Sequence, residues 1–339
     1  MNAVKKWLFR LLVLPLLLGT LVAGGVVWWV NAPMALNLPA GAKLVDLRIA
    51  PGTPAQRVVR DAVAAGVAEP VWLLQLGLRL SGQGHLIQAG SYEIKPEDSP
   101  LKLLEKLVQG DQALRSVTLV EGWTFVQVRR ALQNAEHLTP DSQPMDAEKV
   151  MASIGRSGLH PEGRFFPDTY VYPKHSSDLD LLRQAAGAMD KKLAQAWAQR
   201  QPNLPLKSPE EALILASIVE KETGLSSDRA QVSGVFSNRL RIGMRLQTDP
   251  TVAYGAGPGF DGRLRRIHLT TDTHYNTYTR AGLPPTPIAM PGWASLLAAV
   301  QPAQTPALYF VARGDGSSHF SATLDQHNQA VRRYILNKP

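Results

Sequence analysis

The sequence contains no cysteine among its 339 residues. This absence excludes a disulfide framework, a thiol nucleophile and a zinc site built on cysteine ligands. Charged residues are also scarce, at 19% of the chain, whereas 25 prolines and 27 glycines indicate many turns and ordered loops. Because 45% of the residues are hydrophobic, the composition is typical of a folded protein, and the length suits two domains plus an extra segment.

Several common catalytic motifs are missing as well. The chain has no G-x-S-x-G nucleophile elbow, no P-loop and no H-E-x-x-H zinc motif. Its eight histidines are scattered, and none forms an i, i+4 pair. The sequence therefore predicts neither a metal site nor a cofactor.

A long apolar run lies near the N-terminus. No charged residue occurs between Leu11 and Val30, which is about the 20 residues that a helix needs to cross a membrane. Lys5, Lys6 and Arg10 precede the run, and basic residues on that side predict a cytoplasmic N-terminus. A cleaved signal peptide is the alternative, but its apolar core is usually shorter. We predict a cytoplasmic N-terminus over 1–10, a transmembrane helix over 11–30 and a tether over 31–42.

The formal net charge of +8 allows two interpretations. One is binding to nucleic acid, and the other is contact with an anionic surface such as a membrane or a wall polymer. Basic residues form no dense cluster outside 263–266, and the predicted export argues against nucleic acid. We therefore predict no nucleic-acid partner.

Residues 43–110 have the pattern of a small domain. Val45, Leu47 and Ile49 alternate with polar residues, as in a half-buried strand, and helices over 54–65 and from Pro70 precede a second strand over 89–94. This β-α-α-β order resembles a LysM-like module, a type that often binds N-acetylated glycans; a structural spacer without a glycan groove is the alternative. We predict an α+β fold with a LysM-like subdomain over 43–110 and a larger mixed α+β catalytic domain over 115–339.

One helix of the larger domain carries an acid at its end. Ser208 and Glu211 form a capping box, and residues 212–219 are nearly all apolar, which indicates a helix buried on most faces. Glu220 continues the apolar stripe just before Gly224, a plausible helix stop. Burial disfavours the charged form of a carboxylic acid and so raises its pKa. A general acid needs a raised pKa to carry its proton near neutral pH. There are two alternatives. Glu220 is a buried structural acid paired with an arginine, or Glu220 and Lys221 belong to the solvated last turn of the helix.

Polar and aromatic residues that suit a saccharide follow this helix. Planar amides and aromatic rings match the hydroxyls and the apolar faces of sugars. One candidate lies on a second helix, three lie in a predicted polar turn over 247–254, and two lie in a Y-N-T-Y segment. The predicted substrate contacts are Asn238, Gln247, Asp249, Tyr254, Asn276 and Tyr278.

Five segments occur in a characteristic order along the second half of the chain: E-K-E-T from Glu220, F-S-N-R-L from Phe236, L-Q-T-D-P-T-V-A-Y-G from Leu246, Y-N-T-Y from Tyr275 and G-L-P-P from Gly282. Together they closely resemble the endolytic murein transglycosylase family, also called YceG-like. The resemblance covers essentially the whole chain after the tether.

The resemblance implies a specific activity. Family members are inner-membrane proteins whose catalytic domain faces the periplasm, where they cut nascent peptidoglycan strands internally between N-acetylmuramic acid and N-acetylglucosamine. They leave a 1,6-anhydro end and terminate strand elongation, and the resemblance suggests peptidoglycan synthases as partners. The catalytic acid is the first glutamate of E-K-E-T, here Glu220, and Glu222 does not take that role.

The chemistry distinguishes this activity from its competitors. Hydrolysis of a glycoside normally uses two carboxylates, whereas a lytic transglycosylase needs one, because the muramic C6 hydroxyl of the same strand attacks. A second acid such as Asp249 would be required only for a hydrolase. The alternative outside enzymes is a non-catalytic, glycan-binding scaffold of the cell wall or division apparatus.

Overall fold

The computed structural model describes residues 2–222, 225, 227–257 and 259–336. The chain forms two compact units: unit 1 is Met1–Arg115 with Pro173–His175, and unit 2 is Ser116–Tyr172 with Ser176–Pro339. Each unit mixes helices with short two-stranded sheets, so the predicted α+β class is confirmed. The LysM-like identity of the first domain stays a prediction. Thr223 and Gly224 of the motif helix lie outside the described residues.

Unit 1 begins with a long helix whose segment Val13–Asn31 is long and apolar enough to cross a membrane. A strand follows, and two helices separate it from its partner strand. The elements are α1 (Asn2–Asn31), β1 (Val45–Ile49), α2 (Ala55–Ala65), α3 (Val71–Ser81), β2 (Gly90–Ile94) and α4 (Pro100–Gln109).

The core of unit 1 forms on one face of its sheet. β1 pairs antiparallel with β2, with Val45 opposite Ile94 and Ile49 opposite Gly90. Val45, Leu47 and Ile49 are buried and the residues between them are exposed, which confirms the alternation predicted from the sequence. This face packs against α2 and α4, so a two-stranded sheet is stabilised by helices that cover it.

The segment over 31–42, predicted as a tether, packs within unit 1. The Met34 N–H donates to the Asp98 carbonyl at 2.9 Å, and the Asn37 N–H donates to the Gly66 carbonyl at 2.7 Å. Met34 itself is buried in the core of unit 1. α1 is therefore joined to the sheet and helices of unit 1 by ordered backbone rather than by a free linker.

Unit 2 is built around one buried helix. α8 is buried along its length between residues 212 and 219 and contacts α7, α9, α10 and α12. The elements of this part of the chain are β3 (Leu114–Thr118), α5 (Phe125–Gln133), α6 (Ala147–Ser153), β4 (Thr169–Pro173), α7 (Asp178–Ala198), α8 (Pro209–Glu222), α9 (Arg229–Arg241), α10 (Asp249–Gly255), α11 (Arg266–Thr270), α12 (Trp293–Val300), β5 (Tyr309–Ala312), β6 (Ser318–Ser321) and α13 (Leu324–Val331). β3 pairs with β4, and β5 pairs with β6.

One local prediction is wrong. The predicted polar turn over 247–254 contains helix α10, whose first turn includes Pro250. Proline is well tolerated there, since the first helical N–H groups have no partner within the helix.

The backbone of Gly163 packs so closely against Pro287 that a residue with a Cβ atom would clash. Its φ is +78°, and a Cβ at this position would lie 2.5 Å from Cβ and 2.7 Å from Cγ of Pro287. We expect Gly163→Ala to lower the free energy of unfolding by roughly 3 kcal/mol, from left-handed strain plus overpacking. Urea denaturation measures this change.

Gly187 in α7 is the matched control. A Cβ there would meet no heavy atom of the described residues within 4 Å beyond its own helix. Because alanine is the better helix former, Gly187→Ala should raise the free energy of unfolding by up to ~1 kcal/mol. Equal stabilities of the two variants would contradict the steric argument.

Candidate active site

α8 delivers its last turn to a defined position. The Glu211 N–H donates to Ser208 Oγ at 3.2 Å, which confirms the predicted cap. The next eight residues, Ala212–Val219, are all buried, as predicted from their apolar run. A helix held at its start and along its whole buried length has little freedom at its end, where Glu220 lies.

One hydrogen bond and one ion pair hold the carboxylate of Glu220. The Gly292 N–H donates to Oε2 at 2.9 Å, and Nη2 of Arg229 lies 3.5 Å from Oε1. The Glu220 side chain is only 6% exposed. Since Arg229 begins α9 and Gly292 precedes α12, three helices of unit 2 meet at this carboxylate. The ion pair with Arg229 also matches the structural alternative raised for Glu220.

A second carboxyl group lies beside the first. A Cβ on Gly292 would fall 1.7 Å from Oε1 of Glu121, so the Glu121 side chain occupies the space that the glycine leaves open. Partial burial and the charge of Glu220 raise the pKa of Glu121, while Arg229 opposes the shift. The sequence did not point to Glu121 or Arg229 as site residues, because their contacts join segments far apart in the chain.

The connection between β3 and α5 passes over the end of α8. Gly122 has a φ of +76°, and a Cβ on it would lie 3.9 Å from Cγ of Glu220. Lys221 Nζ donates to the Gly122 carbonyl at 3.2 Å. Glu121 and Gly122 lie shortly before Thr124, the cap of α5, and this local pattern alone does not indicate a contact with α8.

Two clefts in unit 2 contain four of the six predicted substrate contacts. Cleft A, about 410 Å³, is lined by Thr124, Lys221, Asp249, Tyr254 and Phe260, among others. Cleft B, about 490 Å³, is lined by Glu222, Arg239, Gln247, Asp249, Tyr278 and Tyr309, among others. Asp249 lines both, and its Oδ1 accepts a hydrogen bond from the Tyr278 hydroxyl at 2.7 Å. Among the described residues, no cluster of histidines and carboxylates could hold a metal ion.

The two predicted asparagines have main-chain partners. Nδ2 of Asn238 donates to the carbonyls of Thr305 and Ala307, at 2.7 and 3.0 Å. Asn276 is buried, and its Nδ2 lies within hydrogen-bond distance of three carbonyls, those of His268, Leu269 and Thr271. The Asn238 amide holds the segment before β5, the Asn276 amide lies at the end of α11, and contact of either with a substrate stays a prediction.

The two acids of the E-K-E-T segment face different surroundings. Glu222 accepts a hydrogen bond from Thr248 Oγ1 and lines cleft B, whereas Glu220 contacts Gly292 and Arg229. Residues two apart on a helix are separated by roughly 200° around its axis, which explains the difference. Burial raises the pKa of Glu222.

Glu162 is a buried acid between two elements that line cleft A. Its Oε1 accepts from the Phe125 N–H at 2.9 Å, and its Oε2 accepts from the Tyr254 hydroxyl at 3.0 Å. Burial raises its pKa to about 7, although these hydrogen bonds and the charge of Lys221 oppose the shift. Glu162 therefore links the start of α5 to α10.

The raised pKa of Glu162 predicts a pH-dependent stability. The folded state favours the protonated acid. The free energy of unfolding is therefore highest below pH 4.5, and it falls as the pH rises from 4.5 towards about 7, where Glu162 must ionise in its buried place. We expect Glu162→Gln to abolish a fall of roughly 3 kcal/mol over that range. Urea denaturation between pH 4.5 and 8 measures it, with the half-exposed Glu210→Gln as control. Parallel pH curves for parent and Glu162→Gln would contradict the prediction.

Comparison with known proteins places this chain in a family. The sequence model of the YceG-like family matches residues 47–333. A protein of Bacillus subtilis (strain 168) named endolytic murein transglycosylase is 31% identical over 268 residues, which cover 74% of each chain. A protein of the same name from Streptococcus pneumoniae serotype 2 is 26% identical over 330 residues, which cover 87% of this chain but 59% of that relative.

The fold is shared with a solved structure as well. A crystal structure of a yceG-like protein from Listeria monocytogenes has a TM-score of 0.54 and 27% identity, and the match covers 85% of this chain and 99% of that one. The family match extends over most of both units, from β1 to the end of α13. The chain therefore belongs to the YceG-like family.

Proposed function

We propose that this protein is a lytic transglycosylase that cuts peptidoglycan strands internally, with Glu220 as the catalytic acid. The observation that carries the proposal is the fixed carboxylate at the end of buried α8, in a chain of the YceG-like family. The names of the Bacillus subtilis and Streptococcus pneumoniae relatives support this activity. The match covers 59% of the length of the pneumococcal relative, compared with 74% of the Bacillus subtilis relative.

One acid is sufficient for the reaction. Glu220 gives its proton to the glycosidic oxygen between N-acetylmuramic acid and N-acetylglucosamine, and the bond from that oxygen to the muramic C1 breaks. The C6 hydroxyl of the same muramic residue then attacks C1, and its proton passes to the Glu220 carboxylate. The product is a 1,6-anhydro end, and no water is consumed.

The neighbours of Glu220 support this chemistry by holding it in place. The Gly292 N–H and Arg229 orient the carboxylate, and orientation of a proton donor relative to the scissile bond contributes directly to rate. Glu121 adds a second carboxyl group beside the first. It could serve as base in a hydrolase, so the nature of the product separates the two reactions.

The clefts offer surfaces for the saccharide. Cleft B combines the rings of Tyr278 and Tyr309 with the amide of Gln247, and Asp249 lines both clefts. We assign Gln247, Asp249, Tyr254 and Tyr278 to substrate contact. Asn276 would then hold the segment that carries Tyr278 against the end of α11, and Asn238 would hold the segment before β5, since both amides already bind main-chain carbonyls.

The proposed location follows from α1. Its apolar segment would anchor the protein in the inner membrane in a single pass, with the basic N-terminus in the cytoplasm and the catalytic unit in the periplasm. The glycan strand, with its acidic stems and lactyl groups, would be the anionic partner of the remaining positive charge. Unit 1 as a LysM-like glycan-binding module and peptidoglycan synthases as partners belong to the same proposal.

Digestion of purified glycan strands, followed by mass spectrometry of the new ends, tests the proposal. Anhydro ends, lighter by one water than hydrolytic ends, are expected. Free reducing ends would indicate a hydrolase. Binding without cleavage would instead favour the scaffold function, for which the near-complete burial of Glu220 and its pairing with Arg229 are the supporting observations.

A further inference from the structure

One face of α3 exposes large apolar side chains. Trp72, Leu76 and Leu80 follow at intervals of four residues, so they line one side of the helix. Their exposed fractions are 66%, 43% and 72%, whereas Leu74 is buried in the core of unit 1. Single exposed apolar residues are common on soluble proteins, but a contiguous row indicates a surface that contacts something apolar.

This face continues into an apolar groove that α3 shares with α1 and α4. The groove has a volume of about 260 Å³ and is lined almost entirely by apolar side chains, among them Val26, Trp29, Leu76, Leu80 and Leu101. Leu101, on α4, is itself partly exposed. The groove and the exposed row therefore form one continuous apolar surface in unit 1.

α1 and α3 are in direct contact. A Cβ on Gly77 of α3 would lie 3.6 Å from Cζ3 of Trp29, so the absence of a side chain lets the indole approach the helix. Trp29 Nε1 also donates to Glu69 Oε2 at 3.0 Å, just before α3 begins. Together with the packed segment after α1, these contacts fix the end of α1 beside α3.

The depth of α3 follows from that contact. The apolar segment Val13–Asn31 has 19 residues, and at 1.5 Å per residue it is about 28 Å long, close to the thickness of the hydrocarbon core. If it spans the membrane, Val26 to Val30 lie at the edge of the core. α3 touches Trp29, so its exposed face lies at the same level, where tryptophan side chains concentrate in membrane proteins.

We propose that the exposed face of α3, together with the groove it shares with α1, lies in the membrane interface and contacts lipid acyl chains. The proposal rests on the anchoring by α1 that forms part of the proposed function. Lipid is the occupant that the geometry favours, because the apolar surface is continuous with the part of α1 that would border the bilayer core. Unit 1 would then rest on the membrane at a fixed height.

Because the chain has no cysteine, single labels can be placed without background. A fluorophore is attached to Leu76→Cys or Leu80→Cys in the full-length protein, reconstituted into vesicles of phosphatidylcholine and phosphatidylglycerol. Leu21→Cys, exposed near the middle of the apolar segment Val13–Asn31, reports on anchoring, and Arg48→Cys, on the exposed face of β1, is the water-facing control. Quenching is measured with lipids that carry a nitroxide at the headgroup or along the acyl chain.

We expect mid-chain nitroxides to quench the label on Leu21→Cys strongly. We expect shallow nitroxides to quench the labels on Leu76→Cys and Leu80→Cys several times more than the label on Arg48→Cys. Quenching of Leu21 alone would overturn the inference and leave the anchor intact. An unquenched Leu21 would overturn both. If Leu76 and Leu80 are protected from aqueous iodide yet unquenched by lipid nitroxides, a protein covers the face and the inference is wrong. None of these outcomes depends on strand cleavage, which separates this test from that of the transglycosylase activity.

Discussion

Replacing Glu220 by glutamine is expected to lower the rate of strand cleavage by on the order of 10³-fold while the protein keeps its fold. Glutamine has nearly the same shape, and its carbonyl oxygen can still accept the Gly292 N–H. It can neither give a proton to the glycosidic oxygen nor take one from the C6 hydroxyl. Single-turnover digestion of purified strands measures the rate, and thermal denaturation checks the fold.

Glu210→Gln is the matched control for this substitution. Glu210 lies in the first turn of the same helix, is half-exposed and pairs with Arg164 at 2.6 Å. Because Glu210 and Glu220 lie at opposite ends of α8, this variant should cleave strands at the parental rate. Undiminished cleavage by Glu220→Gln would remove Glu220 from the mechanism, whatever the family relationship.

Replacing Arg229 by methionine is expected to destabilise the protein by roughly 3 kcal/mol and to lower kcat about ten-fold or more. Methionine fills similar space but leaves the nearly buried carboxylate of Glu220 without its cation. Removal of one partner of a buried pair is costly because the other charge stays in a poorly solvated place. Urea denaturation at pH 7 and steady-state kinetics measure the two effects.

Arg229→Lys separates charge from geometry. Lysine restores the positive charge but not the planar, forked donors of the guanidinium, so stability should recover more fully than kcat. A positioning role predicts that kcat changes while KM stays close to the parental value. A methionine variant with parental stability and kcat would contradict the role assigned to Arg229.

Much of the local structure could be predicted from short patterns. The alternation at Val45, Leu47 and Ile49, the cap at Ser208 and the burial of α8 all depend on residues a few positions apart. Such features reflect the period of a strand or a helix and the hydrogen-bonding needs of helix ends. The sequence predicts a turn where α10 lies, because Asp-Pro pairs occur both in turns and at the start of helices.

The environment of Glu220 could not be predicted in the same way. Gly292 lies 72 positions from Glu220 in the chain, and its role depends on an N–H that every residue except proline carries. Glu121 and Arg229 look like ordinary charged residues until the fold brings them to the same carboxylate. The amide of Asn276, which we predict to contact a sugar, lies within hydrogen-bond distance of three carbonyls. A short pattern cannot show which partner a buried amide finds.

The sequence by itself determined the α+β class, the apolar helix before Asn31, the burial of α8 and the motif order that identifies the YceG-like family. These depend on composition and on neighbours along the chain. Only the tertiary structure decided that Glu220 is nearly buried between an N–H and an arginine, that Glu121 lies beside it, and that the segment after α1 is packed rather than free. Such contacts join residues far apart in the chain, and they arise only when helices pack and buried polar groups must find partners.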